Sequence, residues 1–154
     1  MRYSIDTSAI LDGWVRYYPP DTFPGLWRKI DDLITAGDLR ASEEVLHDLA
    51  KKDDEVYAWA KAHREMFVPI DDRIQPVVSD LLERFERLVD TSKNRSASDP
   101  FVIALAKVEG CTVVSGEKAS ENPEKPKIPD VCTALGLPCV TLLQLIRTEG
   151  WTFS

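Results

Sequence analysis

The chain has 154 residues, a formal net charge of −7 and 44% hydrophobic residues. This length suits a single domain over residues 1–154, and the hydrophobic content is enough to form a buried core. The acidic balance argues against a protein that coats nucleic acid, because bulk binding of phosphate requires a basic surface. It does not exclude a nuclease, whose acids can be neutralised by a bound metal and whose basic residues can be local.

The cysteines and the apolar runs bear on where the protein works. Cys111, Cys132 and Cys139 lack the paired spacing of a zinc site, and any disulfide scheme leaves one of them unpaired. A reducing cytoplasm is the simplest setting for such cysteines. No apolar run approaches transmembrane length, and the N-terminus lacks the pattern of a signal peptide. We therefore expect a soluble, cytoplasmic protein without a membrane partner.

The first half of the chain predicts alternating strands and helices. A strand at 2–5 is followed by a short helix from Ala9 that ends before the prolines at 19–20, and then by a helix from a cap at Asp21 or Thr22 to Gly37. Next come a strand at 38–41, a helix from Ser42 through Lys52 and a helix from Glu55 to His63. An extended piece at 66–70 and a long amphipathic helix from 71 to 88 complete this half. Apolar residues three and four apart indicate the helices, and glycine and proline indicate their ends.

The second half continues the alternation after a polar loop at 91–98. It predicts a nearly all-apolar helix from Asp99 to Gly110, a strand at 111–114, an exposed loop at 118–127, a short helix from Ile128 to Leu135, a strand at 138–140 and a final helix from the cap Thr141 to about Glu149. Strands alternating with helices predict an α/β protein. We expect a central parallel sheet of about four or five strands, with helices on both faces.

Acidic residues stand at the ends of these hydrophobic elements. Asp6 follows the first strand, Glu44 and Asp48 share one helix face, Asp99 starts the apolar helix, and Glu117 follows the strand before it. Each acid taken alone also fits an ordinary role as a turn, cap or surface residue. Because the carboxyl ends of parallel strands meet along one edge of a sheet, their joint pattern predicts a carboxylate cluster.

A carboxylate cluster requires a counter-ion. Clustered acids raise one another's pKa and reduce stability unless a cation neutralises them. Mg²⁺ and Mn²⁺ bind carboxylate oxygens, polarise phosphates and lower the pKa of water. Neither His47 nor His63 has partners for a zinc site, and no serine has the G-x-S-x-G context of a hydrolase nucleophile. The sequence therefore predicts a Mg²⁺ or Mn²⁺ site suited to phosphodiester hydrolysis.

Four blocks carry these acids: Tyr3-Ser4-Ile5-Asp6-Thr7-Ser8, Ser42-Glu43-Glu44-Val45-Leu46-His47-Asp48-Leu49, Ser98-Asp99-Pro100-Phe101-Val102-Ile103-Ala104-Leu105-Ala106 and Val113-Val114-Ser115-Gly116-Glu117. In their order and spacing they resemble the PIN-domain ribonucleases, the fold of the VapC-type toxins of bacterial and archaeal toxin-antitoxin systems. The resemblance covers nearly the whole chain. It implies a PIN-like fold.

The resemblance also implies an activity and partners. The protein would be a metal-dependent endoribonuclease, the toxin of a toxin-antitoxin pair, with RNA as substrate, an antitoxin protein as partner and a homodimer as a further assembly. Mg²⁺ or Mn²⁺ would be held by Asp6, Asp99 and one of Glu44 or Asp48. Glu117 would orient the attacking water or a second ion, and the hydroxyls of Thr7, Ser8 and Ser115 would support the site.

The sequence departs from the VapC pattern in three places. Asp48 stands where the family usually has Glu, so Glu44 one turn earlier is an alternative ligand, and Glu117 stands where many members have Asp. The motif Lys127-Ile128-Pro129-Asp130-Val131-Cys132 indicates a distinct subfamily, in which Asp130 is a candidate fifth acid.

Basic residues flank the proposed site, and two other functions compete with nuclease activity. Candidates for RNA phosphate contacts are Lys93, Arg95, Lys118, Lys125 and Lys127, with ordinary solvated loop charge as the alternative for each. The main alternative function is a catalytically inactive PIN module that binds RNA or a protein partner. A phosphotransfer domain is disfavoured, because Asp6 is followed by Thr7-Ser8 and not by a second Asp two residues on.

Overall fold

A computed structural model describes residues 1–88, 97–122 and 124–154 of the chain. Within these residues five strands form one sheet: β1 Tyr3–Ile5, β2 Leu39–Ser42, β3 Phe67–Val68, β4 Thr112–Val114 and β5 Cys139–Val140. All neighbouring strands run parallel, in the order β3-β2-β1-β4-β5. The predicted α/β architecture, a parallel sheet flanked by helices, is confirmed and is consistent with a PIN-like fold.

The helices lie close to their predicted positions. They are α1 Thr7–Leu11, α2 Pro24–Thr35, α3 Glu43–Lys52, α4 Asp54–Ala62, α5 Gln75–Arg84, α6 Asp99–Glu109, α7 Ile128–Leu135 and α8 Leu142–Thr148. A π-helical segment, Asp12–Tyr17, continues α1, and a 3₁₀ turn, Arg64–Met66, precedes β3. None of the helices in the described ranges has the length and apolarity needed to cross a membrane. Most of the polar loop predicted at 91–98, including Lys93 and Arg95, lies outside the described residues.

Helix α5 is shorter than the amphipathic pattern predicted. The sequence predicted a helix from 71 to 88, whereas α5 covers Gln75–Arg84. At its start the Asp71 carboxylate accepts hydrogen bonds from the N–H groups of Arg73 and Ile74, which hold a turn ahead of the helix. Leu88 is nevertheless buried. The apolar spacing therefore extends beyond the helix because a non-helical segment also reaches the core.

Helix α6 lies at the centre of the core. Its residues 102–106 are completely buried, and the helix contacts β1, β2 and β4 as well as α5 and α7. The Ser4 hydroxyl of β1 donates a hydrogen bond to the Val102 carbonyl at 2.9 Å, which satisfies a buried polar group. An all-round apolar helix is the type that the interior of a domain requires. The prediction of a buried helix here is confirmed.

The order of strand addition reverses between β1 and β4. β2 and β3 extend the sheet on one side of β1, and β4 and β5 extend it on the other. Ile5 lies beside Val114 in the parallel register, so the chain leaves the sheet at two adjacent points, Asp6 and Ser115. In open α/β sheets the crevice outside the carboxyl ends of the strands at such a reversal is where ligands bind. The topology therefore places Asp6 at the position where such a fold binds its ligand.

Three tryptophans pack the π-helical segment against α2 and α4. The Trp14 ring centroid lies 5.0 Å from that of Trp27 and 5.8 Å from that of Trp59, and the last two are 5.4 Å apart. Nε1 of Trp27 donates a hydrogen bond to the Tyr18 carbonyl at 2.7 Å. The Trp14–Trp27 and Trp27–Trp59 contacts are edge-to-face, and such contacts add to the stability gained from burying the rings. They fix the segment at both its middle and its end.

We predict that Trp27→Ala lowers the free energy of unfolding by about 3–5 kcal/mol, because it removes a buried ring and leaves a cavity between α2 and α4. Urea unfolding measures the change. Phe153→Ala is the matched control, since Phe153 is an exposed aromatic residue, and it should change stability by no more than about 0.5 kcal/mol. Equal effects of the two substitutions would contradict the proposed role of the tryptophan cluster.

Candidate functional site

Asp6 is the buried centre of the site. It is the N-cap of α1, directly after β1, and the residue is 1% exposed. Its carboxylate accepts hydrogen bonds from the Ala9 N–H, the Ser8 hydroxyl and the Ser115 hydroxyl, all at 2.8 Å. These donors come from both sides of the strand reversal. They hold the carboxylate in one orientation.

The electrostatic environment of Asp6 is unfavourable for its charge. Burial raises the pKa of Asp6 from 3.8 to about 7, although the hydrogen bonds from Ala9, Ser115 and Ser8 act to lower it. The negative charge of Glu117 raises the pKa further. No basic side chain within residues 1–88, 97–122 and 124–154 forms an ion pair with Asp6. Such a carboxyl group favours either a proton or a cation beside it.

The turn after β4 closes against the start of α1. The Gly116 N–H donates a hydrogen bond to the Ser8 hydroxyl at 2.9 Å, and the Glu117 N–H donates one to the Ser115 hydroxyl at 3.1 Å. A Cβ at position 116 would lie 2.2 Å from Oδ2 of Asp12. Glycine therefore lets the Asp12 carboxylate pack directly on the backbone here, and any side chain at this position would displace that carboxylate.

An open cleft of about 540 Å³ lies beside Asp6. Its charged lining residues are Asp6, Asp12, Asp53, Asp99, Glu117, Arg16 and Lys52. Three acids predicted from separate parts of the sequence, Asp6, Asp99 and Glu117, thus line one opening. Asp99 is itself buried at the first residue of α6. Glu117 is held at the edge of the cleft, where its Oε2 accepts a hydrogen bond from the Ile128 N–H at 3.0 Å.

The two candidate acids of α3 differ in their connection to the site. Asp48 is 8% exposed, and its Oδ2 accepts a hydrogen bond from the Thr7 hydroxyl at 3.1 Å. The same hydroxyl lies 3.4 Å from that of Ser98, the residue before Asp99. Asp48 is therefore linked through one side chain to the neighbours of both Asp6 and Asp99.

Glu44 lies one turn earlier on α3 and points to a different partner. Its Oε1 is 3.6 Å from Nδ1 of His47, and neither Glu44 nor Asp48 is among the residues that line the cleft. The ambiguity that the sequence left between the two acids is thus reduced by geometry. What distinguishes them is the hydrogen bond that joins Asp48 to Thr7, a residue that does line the cleft.

Asp130, the candidate fifth acid, anchors the loop that precedes α7. Its carboxylate accepts hydrogen bonds from the N–H groups of Ser120, Glu121 and Lys127 and from the Ser120 hydroxyl. Burial acts to raise the pKa of Asp130, but these donors outweigh it and hold the pKa below its usual value. Asp130 is not among the residues that line the cleft. These contacts give Asp130 a structural role in the loop, and this role accounts for the acid in the Lys127–Cys132 motif.

The predicted RNA-contacting lysines are spread over the loop before α7. Lys118 is exposed next to Glu117 and lines a second pocket beside the cleft. Lys125 is exposed, and Lys127 is half-buried at the N-cap of α7. Neither of these two lines the cleft. Of the five predicted cations, only Lys118 is therefore placed beside the site by the described residues.

Sequence interpretation missed other charged residues of the cleft. Asp12 falls within the helix predicted from Ala9; burial raises its pKa, and Arg16, at 3.5 Å, lowers it. Asp53 caps α4, where its side chain accepts a hydrogen bond from the Val56 N–H at 3.0 Å. Lys52 follows Asp48 by one helical turn, and this spacing is the signal that could have identified it.

The described residues fit a metal ion only in part. Within residues 1–88, 97–122 and 124–154, no three His, Cys, Asp or Glu side chains come close enough together to surround an ion. The donor chemistry does fit a hard cation, because buried carboxylates, here Asp6 and Asp99, are the groups that Mg²⁺ and Mn²⁺ prefer. The raised pKa of Asp6 indicates that this carboxyl group lacks compensating positive charge.

The chain belongs to the family described as a domain of unknown function, DUF4411, whose sequence profile matches residues 3–153. The match includes every strand of the sheet and every residue that lines the cleft. A comparison with curated proteins finds no match. Function must therefore be argued from the geometry of the site.

We predict that ionisation of Asp6 makes a contribution that lowers the stability of the metal-free protein as the pH rises from about 4 to about 7. In this interval Asp6 keeps its proton in the folded state and has lost it in the unfolded chain, so the folded state binds more protons. The difference between the two pKa values corresponds to roughly 4 kcal/mol at most.

Asp6→Asn should remove this contribution and should be more stable than the wild type at about pH 8 in the presence of a chelator. Thermal melts of the two proteins across the pH range measure the difference, and other carboxyl groups cancel in the comparison. If the stabilities of the wild type and of Asp6→Asn changed with pH in the same way, the result would contradict a raised pKa of Asp6.

Proposed function

We propose that this protein is a metal-dependent endoribonuclease that hydrolyses RNA phosphodiesters in the cleft beside Asp6. The observation that carries the proposal is a buried Asp6 carboxyl at the strand reversal, with Asp99 and Glu117 lining the same cleft. Burying this group costs stability, and groups that reduce stability in a cleft are typical of functional sites.

The residues of the cleft have distinct roles in this proposal. Asp6 and Asp99 of the cleft, together with Asp48, which is hydrogen-bonded to the cleft residue Thr7, would hold Mg²⁺ or Mn²⁺. The bound ion would neutralise phosphate charge and lower the pKa of a water molecule. The hydroxyls of Ser8 and Ser115 orient the Asp6 carboxylate. Thr7 orients Asp48 in the same way, and the Ile128 N–H holds Glu117 at the edge where an attacking water would lie.

Two cations of the cleft are suited to contact the substrate. Arg16 and Lys52 are exposed side chains on an otherwise acidic lining. Contacts from such side chains to phosphate oxygens position a nucleic acid without reading its sequence. They would direct the RNA backbone into the cleft and offset the repulsion from the acids.

The resemblance of four sequence blocks to PIN-domain ribonucleases supports the same activity, since those blocks contain Asp6, Asp48, Asp99 and Glu117. On this resemblance we further propose that the protein is a cytoplasmic toxin of a toxin-antitoxin pair. An antitoxin protein would silence it, and a homodimer would be its assembly.

A second candidate function is a PIN module that binds RNA or a protein partner without cleaving RNA. One observation favours it: in the described part of the chain, no three metal-ligating side chains converge on one point. A binding module would need the cleft and its cations but not a metal ion. The two functions therefore predict different effects of removing the acids: a nuclease would lose cleavage, whereas a binding module would not depend on them to hold a metal ion.

We predict that Asp6→Asn and Asp99→Asn each reduce RNA cleavage by at least about 100-fold, because the amide has nearly the same shape but cannot neutralise a cation. Cleavage of a labelled single-stranded RNA in Mg²⁺ or Mn²⁺, with and without chelator, measures the rate. Asp32→Asn is the control, since Asp32 is an exposed acid outside the cleft and should leave the rate unchanged.

Circular dichroism must show that all three variants are folded. A folded Asp6→Asn protein with full activity would refute the proposed nuclease site. A wild-type protein that binds RNA but does not cleave it in either metal would support the second candidate function.

We also predict that Asp48→Asn weakens Mn²⁺ binding by about 10-fold or more, whereas Glu44→Gln has a smaller effect. The reason is the hydrogen bond that joins Asp48 to Thr7, a cleft residue next to Asp6, whereas Glu44 lies beside His47. Calorimetric titration measures both affinities. A larger effect of Glu44→Gln would reverse the assignment of the second acid.

A further inference from the structure

A second pocket, of about 320 Å³, opens beside the acidic cleft. It lies between the π-helical segment and the start of α8. Asp12, Gly116 and Glu117 line both the pocket and the cleft. Its volume is at the lower end of the range of small-ligand sites, about 300–1,000 Å³. A group bound in the pocket would therefore be separated from the cleft only by this shared wall.

The remaining walls of the pocket are largely apolar and aromatic. Tyr17 and Tyr18 come from the end of the π-helical segment, and Leu142 and Leu143 come from the start of α8. Tyr17 is 59% exposed and Leu143 is 43% exposed, although both are large apolar side chains. Lys118 and Thr141 add polar groups to the lining. The pocket thus combines an apolar surface, suited to a flat group of a ligand, with the cation Lys118, suited to a negatively charged group of the same ligand.

The walls are held in place by contacts within the protein. A Cβ at Gly13 would lie 2.7 Å from Cδ2 of Leu142, so glycine lets α8 pack directly on the π-helical backbone. The Tyr18 carbonyl accepts the hydrogen bond from Trp27, and the Tyr18 ring packs edge-on against Phe23 at 5.5 Å. These contacts shape the pocket without any bound ligand, which reduces the entropy lost on binding.

We propose that this pocket binds a nucleobase of single-stranded RNA, next to the phosphate that lies in the acidic cleft; the proposal rests on the ribonuclease function proposed above. Proteins recognise single-stranded RNA by stacking its bases on aromatic side chains. A base and its own phosphate are a short distance apart, as are the pocket and the cleft that share Asp12 and Glu117. Lys118 lies where it can contact the backbone of the same nucleotide.

An apolar side chain of a protein partner is the competing occupant, and the surroundings of the pocket disfavour it. Protein interfaces bury about 800 Å² on each partner around an apolar core. Among the described residues, the large exposed apolar side chains of this region are Val15, Tyr17, Phe23 and Leu143. The adjoining surface is the acidic lining of the cleft. A small apolar pocket beside charged groups fits a nucleotide better than a protein surface.

The test measures binding in the Asp6→Asn background, so that it does not depend on cleavage. The ligands are a labelled single-stranded oligoadenylate of about ten nucleotides and an abasic oligomer of the same length and charge. Tyr17→Ala should weaken binding of the oligoadenylate about 5- to 100-fold, the range expected for one lost stacking contact, and should leave the abasic oligomer unaffected. Leu143→Ala, on the opposite wall, should act in the same direction.

Two control variants separate stacking from other effects. Tyr17→Phe keeps the ring and should retain affinity for the oligoadenylate. Phe153→Ala removes an exposed aromatic residue outside the pocket and should change neither affinity. Equal losses for both ligands in Tyr17→Ala would overturn the proposal, because they would show an effect on the backbone or the fold.

Equal affinity of Tyr17→Ala and its parent for the oligoadenylate would also overturn it and would leave a protein side chain as the occupant. The ribonuclease proposal can fail separately. If the expected base-dependent loss is found but the wild-type protein cleaves no RNA in Mg²⁺ or Mn²⁺, the nuclease function is refuted and the base pocket stands.

Discussion

The burial of one carboxyl group, that of Asp6, is the constraint on which the rest of the site depends. Parallel pairing of β1 with β4 brings the Ser115 hydroxyl to it, and the first turn of α1 supplies the Ser8 hydroxyl and the Ala9 N–H. These donors fix its orientation but do not restore an ordinary pKa. The same sheet edge that makes the core compact therefore leaves a charge to be neutralised from the cleft, by a proton in the free protein or by a cation in the proposed enzyme.

The π-helical segment connects this constraint to the second pocket. Its Asp12 carboxylate packs against the backbone of Gly116 in the turn after β4, and its Gly13 lets Leu142 pack against the backbone of the segment. Helices widened in this way occur often at functional sites. One short segment thus lines both cavities, with Asp12 shared between them, Arg16 on the side of the cleft and Tyr17 on the side of the pocket. An RNA nucleotide has the same division between its charged phosphate and its flat base.

The sequence was most informative where structure is local. The apolar run of α6 and the β-branched residues of β4 predicted buried elements, and the rule that parallel strand ends share an edge brought Asp6, Asp99 and Glu117 to one cleft. Other features depend on contacts that no local pattern encodes. Asp130 looked like a site acid, but its partners are N–H groups of an aperiodic loop. The π-helical widening depends on packing of Trp14 against two distant helices, and periodicity over six residues cannot distinguish it from α-helix.

The charge of the protein limits how it can bind RNA. With a net charge of −7, the protein gains little from general attraction to phosphate, and the cleft offers only Arg16 and Lys52 among its described lining residues. In the proposed ribonuclease, base contacts in the second pocket would then supply affinity that a duplex cannot gain, since paired bases are not accessible to an aromatic pocket. An acidic nuclease with few phosphate contacts and one base pocket would therefore act on unpaired RNA. The acidic net charge, which argued against a nucleic-acid coat protein, would thus make the proposed enzyme selective for unpaired RNA.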